Sequence, residues 1–303
     1  MRNLFNSNES LFKKVKDGKP SGIIFTLLLP IIVPFLALPI VVLMTMIIKL
    51  SGIWRIGAFA SINRPLGLMI STGSVIIVYF LIVKFKEKRK IATMGFSLKD
   101  NAVFKYIRGF LIGVLMIFIV AVLIVAIGDG KFVFNKNLDF SFLISFIFMI
   151  IAWIIQGASE EVMMRGHMLP VLGVKISPIV AIIISSSYFG VLHLGNPGVA
   201  PLAIVNLILF GIFAAIYAIY EKNLWGVCAL HSAWNFAQGN IFGFLVSGTE
   251  TGVGSIINTK ILENNLINGG TFGPEGGVIV TLILAIGIAI LVYLLIRKNK
   301  LKI

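Results

Sequence analysis

The sequence has 303 residues, of which 58% are hydrophobic and only 13% are charged, and this balance excludes an ordinary soluble globular protein. The 26 basic residues outnumber the 12 acidic ones, but they lie mainly in short segments beside apolar runs, so we do not expect a nucleic-acid partner. The single cysteine, Cys228, excludes an internal disulfide and a cysteine-based metal site, and we interpret it as a packing residue. Composition therefore predicts an integral protein of the lipid bilayer.

Several apolar runs reach the roughly 20 residues that cross a bilayer, and they predict an all-α polytopic bundle of about eight transmembrane helices. The first run is longer than the core of a signal peptide, so we interpret it as a span and not as a cleaved leader. In chain order the predicted spans are 22–48, 65–83, 107–127, 140–164, 178–194, 201–220, 224–246 and 277–296. We expect a single membrane domain over residues 1–303, with a motif-bearing core at about 140–246.

The basic residues also predict the orientation of these spans. With both termini in the cytoplasm, the internal segments hold about 20 Lys and Arg and the external segments about 6. The preference of positive charge for the inner side therefore predicts cytoplasmic termini. We expect a multi-pass protein of a cell membrane, and the composition favours a bacterial cytoplasmic membrane.

Two adjacent carboxylates, Glu160 and Glu161, lie near the end of the fourth predicted span. A charged side chain inside a membrane costs about 2.5–3.5 kcal/mol on insertion scales, so such a group indicates a functional site. Glu161 and Arg165 have the i,i+4 spacing with the acid first, which predicts a helical ion pair that supports the site. Glu160 points about 100° away from Glu161, so we expect it to be free for chemistry.

Three polar motifs follow one another on successive apolar segments, namely Glu160-Glu161-x-x-x-Arg165, Phe189-x-x-x-His193 and His231-x-x-x-Asn235. Together they resemble the motifs of the CAAX prenyl protease and bacteriocin-processing family, whose members are multi-pass intramembrane endopeptidases. The resemblance implies that the glutamate and the first histidine activate water, and that the second histidine and the asparagine bind the oxyanion. It also implies a membrane-associated peptide or protein substrate, and a role in peptide maturation or bacteriocin immunity.

The same residue types meet the needs of peptide hydrolysis without the resemblance. Glu160 is the candidate base, and His193 is its candidate partner for orienting water and carrying protons. His231 and Asn235 are spaced i,i+4, so both would point from one helix face toward an oxyanion. Phe189 has the same spacing from His193 and would hold the imidazole by packing.

Two alternatives stay open. Glu160, His193 and His231 would make a zinc site with water as the fourth ligand, although no two histidines lie within one helical turn as in His-Glu-x-x-His. We prefer catalysis without a cofactor. The alternative from another class is a non-catalytic membrane protein that binds or transports a peptide.

The eight-span arrangement raises one geometric conflict. It puts Glu160 near the cytoplasmic end of its span, whereas His193 falls toward the far end of the next span. The two residues meet only if the stretch 166–175 re-enters the bilayer, or if the site lies deeper than the predicted spans suggest. We interpret His167, within this stretch, as an interfacial residue outside the site.

Overall fold

The structure, a computed structural model, describes residues 10–52, 62–98 and 101–300. The α-helices in these ranges are α1 (Ser10–Lys13), α2 (Ile23–Leu50), α3 (Asn63–Leu81), α4 (Ala102–Ala126), α5 (Phe140–Glu161), α6 (Leu169–Lys175), α7 (Pro178–Val191), α8 (Pro201–Glu221), α9 (Trp225–Phe236) and α10 (Val278–Lys300). Three π-helical segments, Ile82–Lys86, Val162–Met168 and Ala237–Ile241, continue α3, α5 and α9. Short 3-10 turns cover Lys14–Asp17, Ile91–Met94, Gly270–Phe272 and Pro274–Gly276. The predicted mainly helical fold is confirmed.

A small sheet is an addition that the sequence analysis did not predict. Strands β1 (Gly130–Phe134) and β2 (Ile257–Ile261) pair antiparallel, with Gly130 opposite Ile261 and Phe134 opposite Ile257. Both strands lie in loops that follow α4 and α9. Strands of five residues give too short an alternation to stand out against the apolar helices around them.

Six helices in the described ranges are long and apolar enough to cross a membrane: 23–50, 63–86, 102–126, 140–175, 201–221 and 278–298. They correspond to six of the eight predicted spans, which shows a multi-pass membrane protein. The other two predicted spans contain the shorter helices α7, of 14 residues, and α9, of 12 residues, so the count of eight is not confirmed. The cytoplasmic termini stay a prediction, and the basic residues Arg2 and Arg55 used for it lie outside the described ranges.

The continuous helix from Phe140 to Lys175 removes the conflict between Glu160 and His193. The fourth span was predicted to end at 164, but a π-helical segment carries the helix on to Lys175, and α7 starts at Pro178. Glu160 and His193 therefore each lie about 15 residues from this turn, or about 22 Å along their own segments. The stretch 166–175 is helical and does not re-enter, so the site is deeper than the predicted spans suggested.

Helix α9 is the centre of the bundle, and each of its residues from Gly226 to Phe236 is buried. Small residues allow its close approach to α4, because a Cβ on Gly109 or Gly113 would overlap the carbonyl oxygens of Gly226 and Leu230. Gly157 allows α5 to approach the opposite side of α9 equally closely, because a Cβ there would lie 2.6 Å from the Ser232 nitrogen. Close glycine packing is the usual way for membrane helices to associate, and here it fixes the helix that carries His231 and Asn235.

Candidate active site

One cavity of about 180 Å³ brings together the four predicted catalytic residues, which line it with Phe189: Glu160, His193, His231 and Asn235. Its walls come from α3, α5, α7, α8, α9 and α10, together with the turn that follows α7 and the loop that follows α9. Glu161 and Arg165 are not part of this lining and lie behind the wall. The predicted site residues are thus in one place, although they come from three separate segments of the chain.

Glu161 makes the predicted ion pair and one contact that was not predicted. Its Oε1 accepts a hydrogen bond from Arg165 Nη1 at 2.9 Å and lies 2.8 Å from His231 Nδ1. Arg165 Nη2 donates to the Gly211 carbonyl at 3.1 Å, and its guanidinium lies 5.0 Å from the centroid of the Phe189 ring. The Glu161 and Arg165 side chains are fully buried. Glu161 therefore holds the His231 ring by its Nδ1 as well as pairing with Arg165.

Glu160 lies outside the Arg165 ion pair, as expected, but it has two other partners. It makes no pair with Arg165, but its Oε1 accepts a hydrogen bond from Gln156 Nε2 at 2.8 Å, and its Oε2 lies 3.4 Å from His231 Nε2. Its side chain is 22% exposed, whereas that of Glu161 is 0% exposed. The sequence analysis missed Gln156, although its position four residues before Glu160 puts both side chains on one helix face.

Gln156 also reaches the predicted oxyanion donor. Asn235 Nδ2 donates to Gln156 Oε1 at 2.8 Å, so one glutamine amide links the candidate base to Asn235. An amide nitrogen carries two hydrogens, which leaves the second for a ligand in the cavity. His231 and Asn235 both face the cavity, but the two ring nitrogens of His231 point at Glu161 and Glu160.

His193 lies in the turn that follows α7, and its backbone partner defines its tautomer. Nδ1 is 2.7 Å from the Phe189 carbonyl oxygen, which only accepts, so Nδ1 carries the hydrogen and Nε2 of the neutral ring has the lone pair. The Phe189 ring packs against this imidazole, with centroids 4.8 Å apart, and also against His231 at 5.9 Å. The predicted packing of Phe189 is present and extends to both histidines.

The geometry does not fit the zinc alternative. Within residues 10–52, 62–98 and 101–300, no three His, Cys, Asp or Glu side chains are grouped so as to hold a metal ion. His231 already has a carboxylate oxygen at each ring nitrogen, so a metal would have to displace one of these contacts. We therefore derive no step through a metal.

Loop residues that the sequence analysis did not single out complete the cavity. Glu275 Oε2 accepts hydrogen bonds from Ser247 N at 2.6 Å and Ser247 Oγ at 3.0 Å, and its Oε1 lies 3.3 Å from Trp234 Nε1. Ser247 has a left-handed backbone with φ of 47°, and its carbonyl accepts a hydrogen bond from Asn196 at 2.9 Å. These side chains lie outside every motif, so only the folded chain shows that they face the cavity.

His167 lies outside the cavity, as expected, and is buried within the bundle. Its Nε2 lies 3.0 Å from Glu87 Oε1, and Arg89 Nε donates to Glu87 Oε2 at 2.7 Å. The helix runs past His167 to Lys175, which puts the residue inside the bundle. Burial opposes ionisation of Glu87, but His167 and Arg89 outweigh it and hold the pKa of this carboxyl below its usual range.

A membrane-embedded peptidase is the class of protein that this bundle and cavity fit, and a comparison with protein families supports it. Residues 142–237 match the family described as type II CAAX prenyl endopeptidase Rce1-like. The match covers about a third of the chain and includes the three motifs. The match over this motif-bearing part confirms the resemblance to that protease family. No curated protein matches the chain at a significant level.

Proposed function

We propose that this protein is an intramembrane endopeptidase that hydrolyses membrane-associated peptides or proteins with water activated by Glu160. The observation that carries the proposal is the convergence of Glu160, His193, His231 and Asn235 on one cavity. The family match supports the reaction class, since it names a family of endopeptidases.

Glu160 is the base in this proposal. It is the more exposed of the two adjacent carboxylates, and the hydrogen bond from Gln156 holds its Oε1 while Oε2 points toward His231. Glu160 removes a proton from water, and the water oxygen attacks the carbonyl carbon of the scissile bond. His193 orients this water through its Nε2 lone pair.

His231 and Asn235 stabilise the oxyanion that forms on the carbonyl oxygen. Nδ1 of His231 donates to Glu161, and Nε2 faces ionised Glu160, so both ring nitrogens carry hydrogen in this arrangement. In the proposed transition state the oxyanion accepts from the Nε2 hydrogen of His231, in place of the long contact to Glu160, and from the second hydrogen of Asn235 Nδ2. One oxyanion donor is worth about 2.7–4 kcal/mol.

Collapse of the intermediate completes the proton balance. The C–N bond breaks, and the proton that Glu160 took from water passes through His193 to the leaving amine. The second hydrogen of the water passes from the new carboxylic acid to the amine, so the products are a carboxylate and a protonated amine, and Glu160 is again ionised. The substrate is a membrane-associated peptide, and the resemblance favours peptide maturation or bacteriocin immunity as the process. A prenyl group on the substrate is not required by any contact in the cavity.

A Glu160→Gln variant tests the proposal, because it keeps the shape of the side chain and removes the base. We expect cells with this variant to accumulate uncleaved precursors in their membrane and secreted peptides, measured by mass spectrometry against wild type. Glu263→Gln, in an exposed loop segment, is the matched control and should process normally. Normal processing by Glu160→Gln would favour the non-catalytic alternative, in which peptide binding survives without hydrolysis.

A further inference from the structure

Glu275 is a carboxylate on the wall of the catalytic cavity that takes no part in the proposed hydrolysis. It lies in the turn Pro274–Gly276 before α10 and is only 7% exposed. The proposed reaction uses Glu160 as the base, and Glu161 holds the His231 ring. Moving an ionisable group out of water costs free energy, so an ionisable side chain inside a membrane protein indicates a function of its own.

The fold fixes Glu275 at both its backbone and its side chain. Asn206 Nδ2 of α8 donates to the Glu275 carbonyl oxygen at 2.8 Å and to the Gly277 carbonyl oxygen at 2.9 Å. Ser247 and Trp234 donate to the carboxylate from the other side. The position of the acid is therefore set before any ligand enters the cavity, which lowers the entropic cost of binding.

The charge of Glu275 has no counter-ion in the site. Its carboxylate accepts three hydrogen bonds, all from neutral groups, which leaves at least one of its roughly four acceptor positions. None of the ion pairs among the described residues includes Glu275, and no lysine or arginine of the described ranges lines the cavity. Glu160, the other carboxylate of the lining, already faces His231. Buried charges in proteins are usually paired, so the site favours a ligand that brings a cation.

A structural role explains the hydrogen bonds of Glu275 but not its charge. Through Ser247 it ties the loop after α9 to the turn before α10. Neutral amides do the same work elsewhere in this loop, where Gln238 Nε2 donates to the Leu245 carbonyl oxygen at 2.6 Å and Asn240 Nδ2 to the Val253 carbonyl oxygen at 3.1 Å. Anchoring of the loop therefore does not require a carboxylate.

We propose that Glu275 binds a lysine or arginine side chain of the substrate next to the scissile bond. This inference rests on the proposed function, because an endopeptidase cuts inside a chain, where side chains and not terminal amines supply the cation. Glu160 and Glu275 border one cavity of about 180 Å³, so the bound basic residue lies close to the bond that is cut.

The rest of the cavity wall narrows the substrate class further. Leu68, Leu207 and Leu284 contribute apolar surface beside the two carboxylates. A segment in which a basic residue adjoins apolar residues complements both parts of the wall. Membrane peptides have this pattern where Lys or Arg flanks the apolar run. The substrate class is therefore a membrane-associated peptide that is cut at the border between its apolar run and its basic flank.

Binding of two matched peptides tests this inference without depending on hydrolysis. Both are short apolar peptides with blocked ends, and they differ only in one central residue, which is lysine in one and the neutral analogue norleucine in the other. The full-length protein with Glu160→Gln binds them without cutting them, and fluorescence anisotropy of labelled peptides in detergent gives the dissociation constants. We expect the lysine peptide to bind about tenfold more tightly, the effect of one hydrogen bond to a charged group.

Three further substitutions in the same background identify the group responsible. Glu275→Gln keeps the shape of the side chain and removes its charge, so it should abolish the preference for lysine. Glu263→Gln makes the same change at an exposed loop position and should keep the preference. Ser247→Ala removes one hydrogen bond to Glu275 but leaves its charge, and should also keep it. Equal binding of the two peptides, no binding of either, or an equal loss of preference in Ser247→Ala and Glu275→Gln would overturn the proposal.

Hydrolysis of the same peptides by the protein with Glu160 intact separates this inference from the proposed function. If both are correct, kcat/KM is about tenfold higher for the lysine peptide, and Glu275→Gln makes the two values equal. Equal cleavage of both peptides by the unsubstituted protein would support the peptidase and reject the role of Glu275. A preference for lysine in binding, without hydrolysis of either peptide, would reject the peptidase and keep Glu275 as a binding residue.

Discussion

The bundle contains two buried clusters built from the same three residue types, and only one of them borders the cavity. The first consists of Glu87, Arg89 and His167, and the second of Glu161, Arg165 and His231. In each, a fully buried glutamate contacts both an arginine and a histidine. A glutamate, an arginine and a histidine in contact therefore do not by themselves define a catalytic site.

The difference lies in what each histidine faces on its other side. His167 stacks near Tyr79, with ring centroids 5.5 Å apart, and Glu87 takes a further hydrogen bond from the Ser21 backbone at 3.0 Å. His231 instead meets a second carboxylate, Glu160, which is partly exposed to the cavity. The Glu87 cluster joins chain segments, whereas the Glu161 cluster links His231 to the partly exposed carboxylate of Glu160.

The largest effect is expected from the two adjacent carboxylates. Glu160→Ala should abolish cleavage and leave abundance in the membrane nearly unchanged, because Glu160 is partly exposed. Glu161→Ala should lower both, since it leaves Arg165 and His231 without their buried acceptor, at about 3–5 kcal/mol. Quantitative immunoblotting measures the abundance of each variant, and a cleavage assay measures its activity. Retained cleavage at normal abundance in Glu160→Ala would disprove the assignment of the base.

Loss of the proposed oxyanion donor Asn235 should have the next largest effect. Asn235→Ala should lower turnover about 10²–10³-fold, the usual cost of one missing donor, and strong chelators should have little effect on wild type. Turnover of the purified protein with and without a chelator measures both. Stoichiometric zinc that is lost with activity on chelation, and that restores activity when added back, would favour the metal mechanism.

Gln156 should have a smaller effect, because it acts through Glu160 and Asn235. Gln156→Leu removes both hydrogen bonds and should lower kcat about 10- to 100-fold, since a hydrogen bond to a charged group is worth about 1.5–3 kcal/mol. We expect KM to change little and the pH profile of kcat to shift, because the base loses its donor. An unchanged pH profile with a normal kcat would show that Gln156 only packs.

The smallest effect is a pH dependence of stability at the Glu87 cluster. The pKa of Glu87 is lowered in the folded protein, so the unfolded chain takes up the proton first as the pH falls. Its contribution is therefore complete above the ordinary glutamate pKa of about 4.3 and is lost as the pH drops further. Thermal melting in detergent at pH 7 and pH 3 should show Glu87→Gln less stable than wild type at pH 7, with a smaller gap at pH 3. A difference in melting temperature between the variant and wild type that is the same at both pH values would contradict this prediction.

The sequence predicts the six long spans well because hydropathy and length agree there. At α7 and α9 the α-helix is shorter than the predicted span, because the apolar residues continue into non-helical or π-helical segments. The β1–β2 pair has no comparable signal. Where an apolar segment packs against other parts of the protein and not against lipid, the length of the apolar run does not give the length of the helix.

Individual contacts of the candidate site were predictable where residues share one helix face, whereas the grouping of three chain segments was expected only from the succession of the three motifs. The i,i+4 spacing gave the Glu161–Arg165 pair and the Phe189–His193 packing. The contact between Glu161 and His231 joins residues 70 positions apart, so no local pattern contains it. Gln156 had the right spacing but belongs to no motif, and Glu275 depends on how the loop after α9 folds back.

That loop has a consequence for how the cavity is closed. Ser247, Thr249 and Glu275 bring irregular backbone to the cavity, and such backbone is tolerated in a membrane protein where it lines protein or water. Glu275 Oε2 accepts hydrogen bonds from Ser247 N and Ser247 Oγ, and the Ser247 carbonyl accepts one from Asn196. Side-chain hydrogen bonds, and not a helix, therefore hold the part of the cavity wall that the loop supplies.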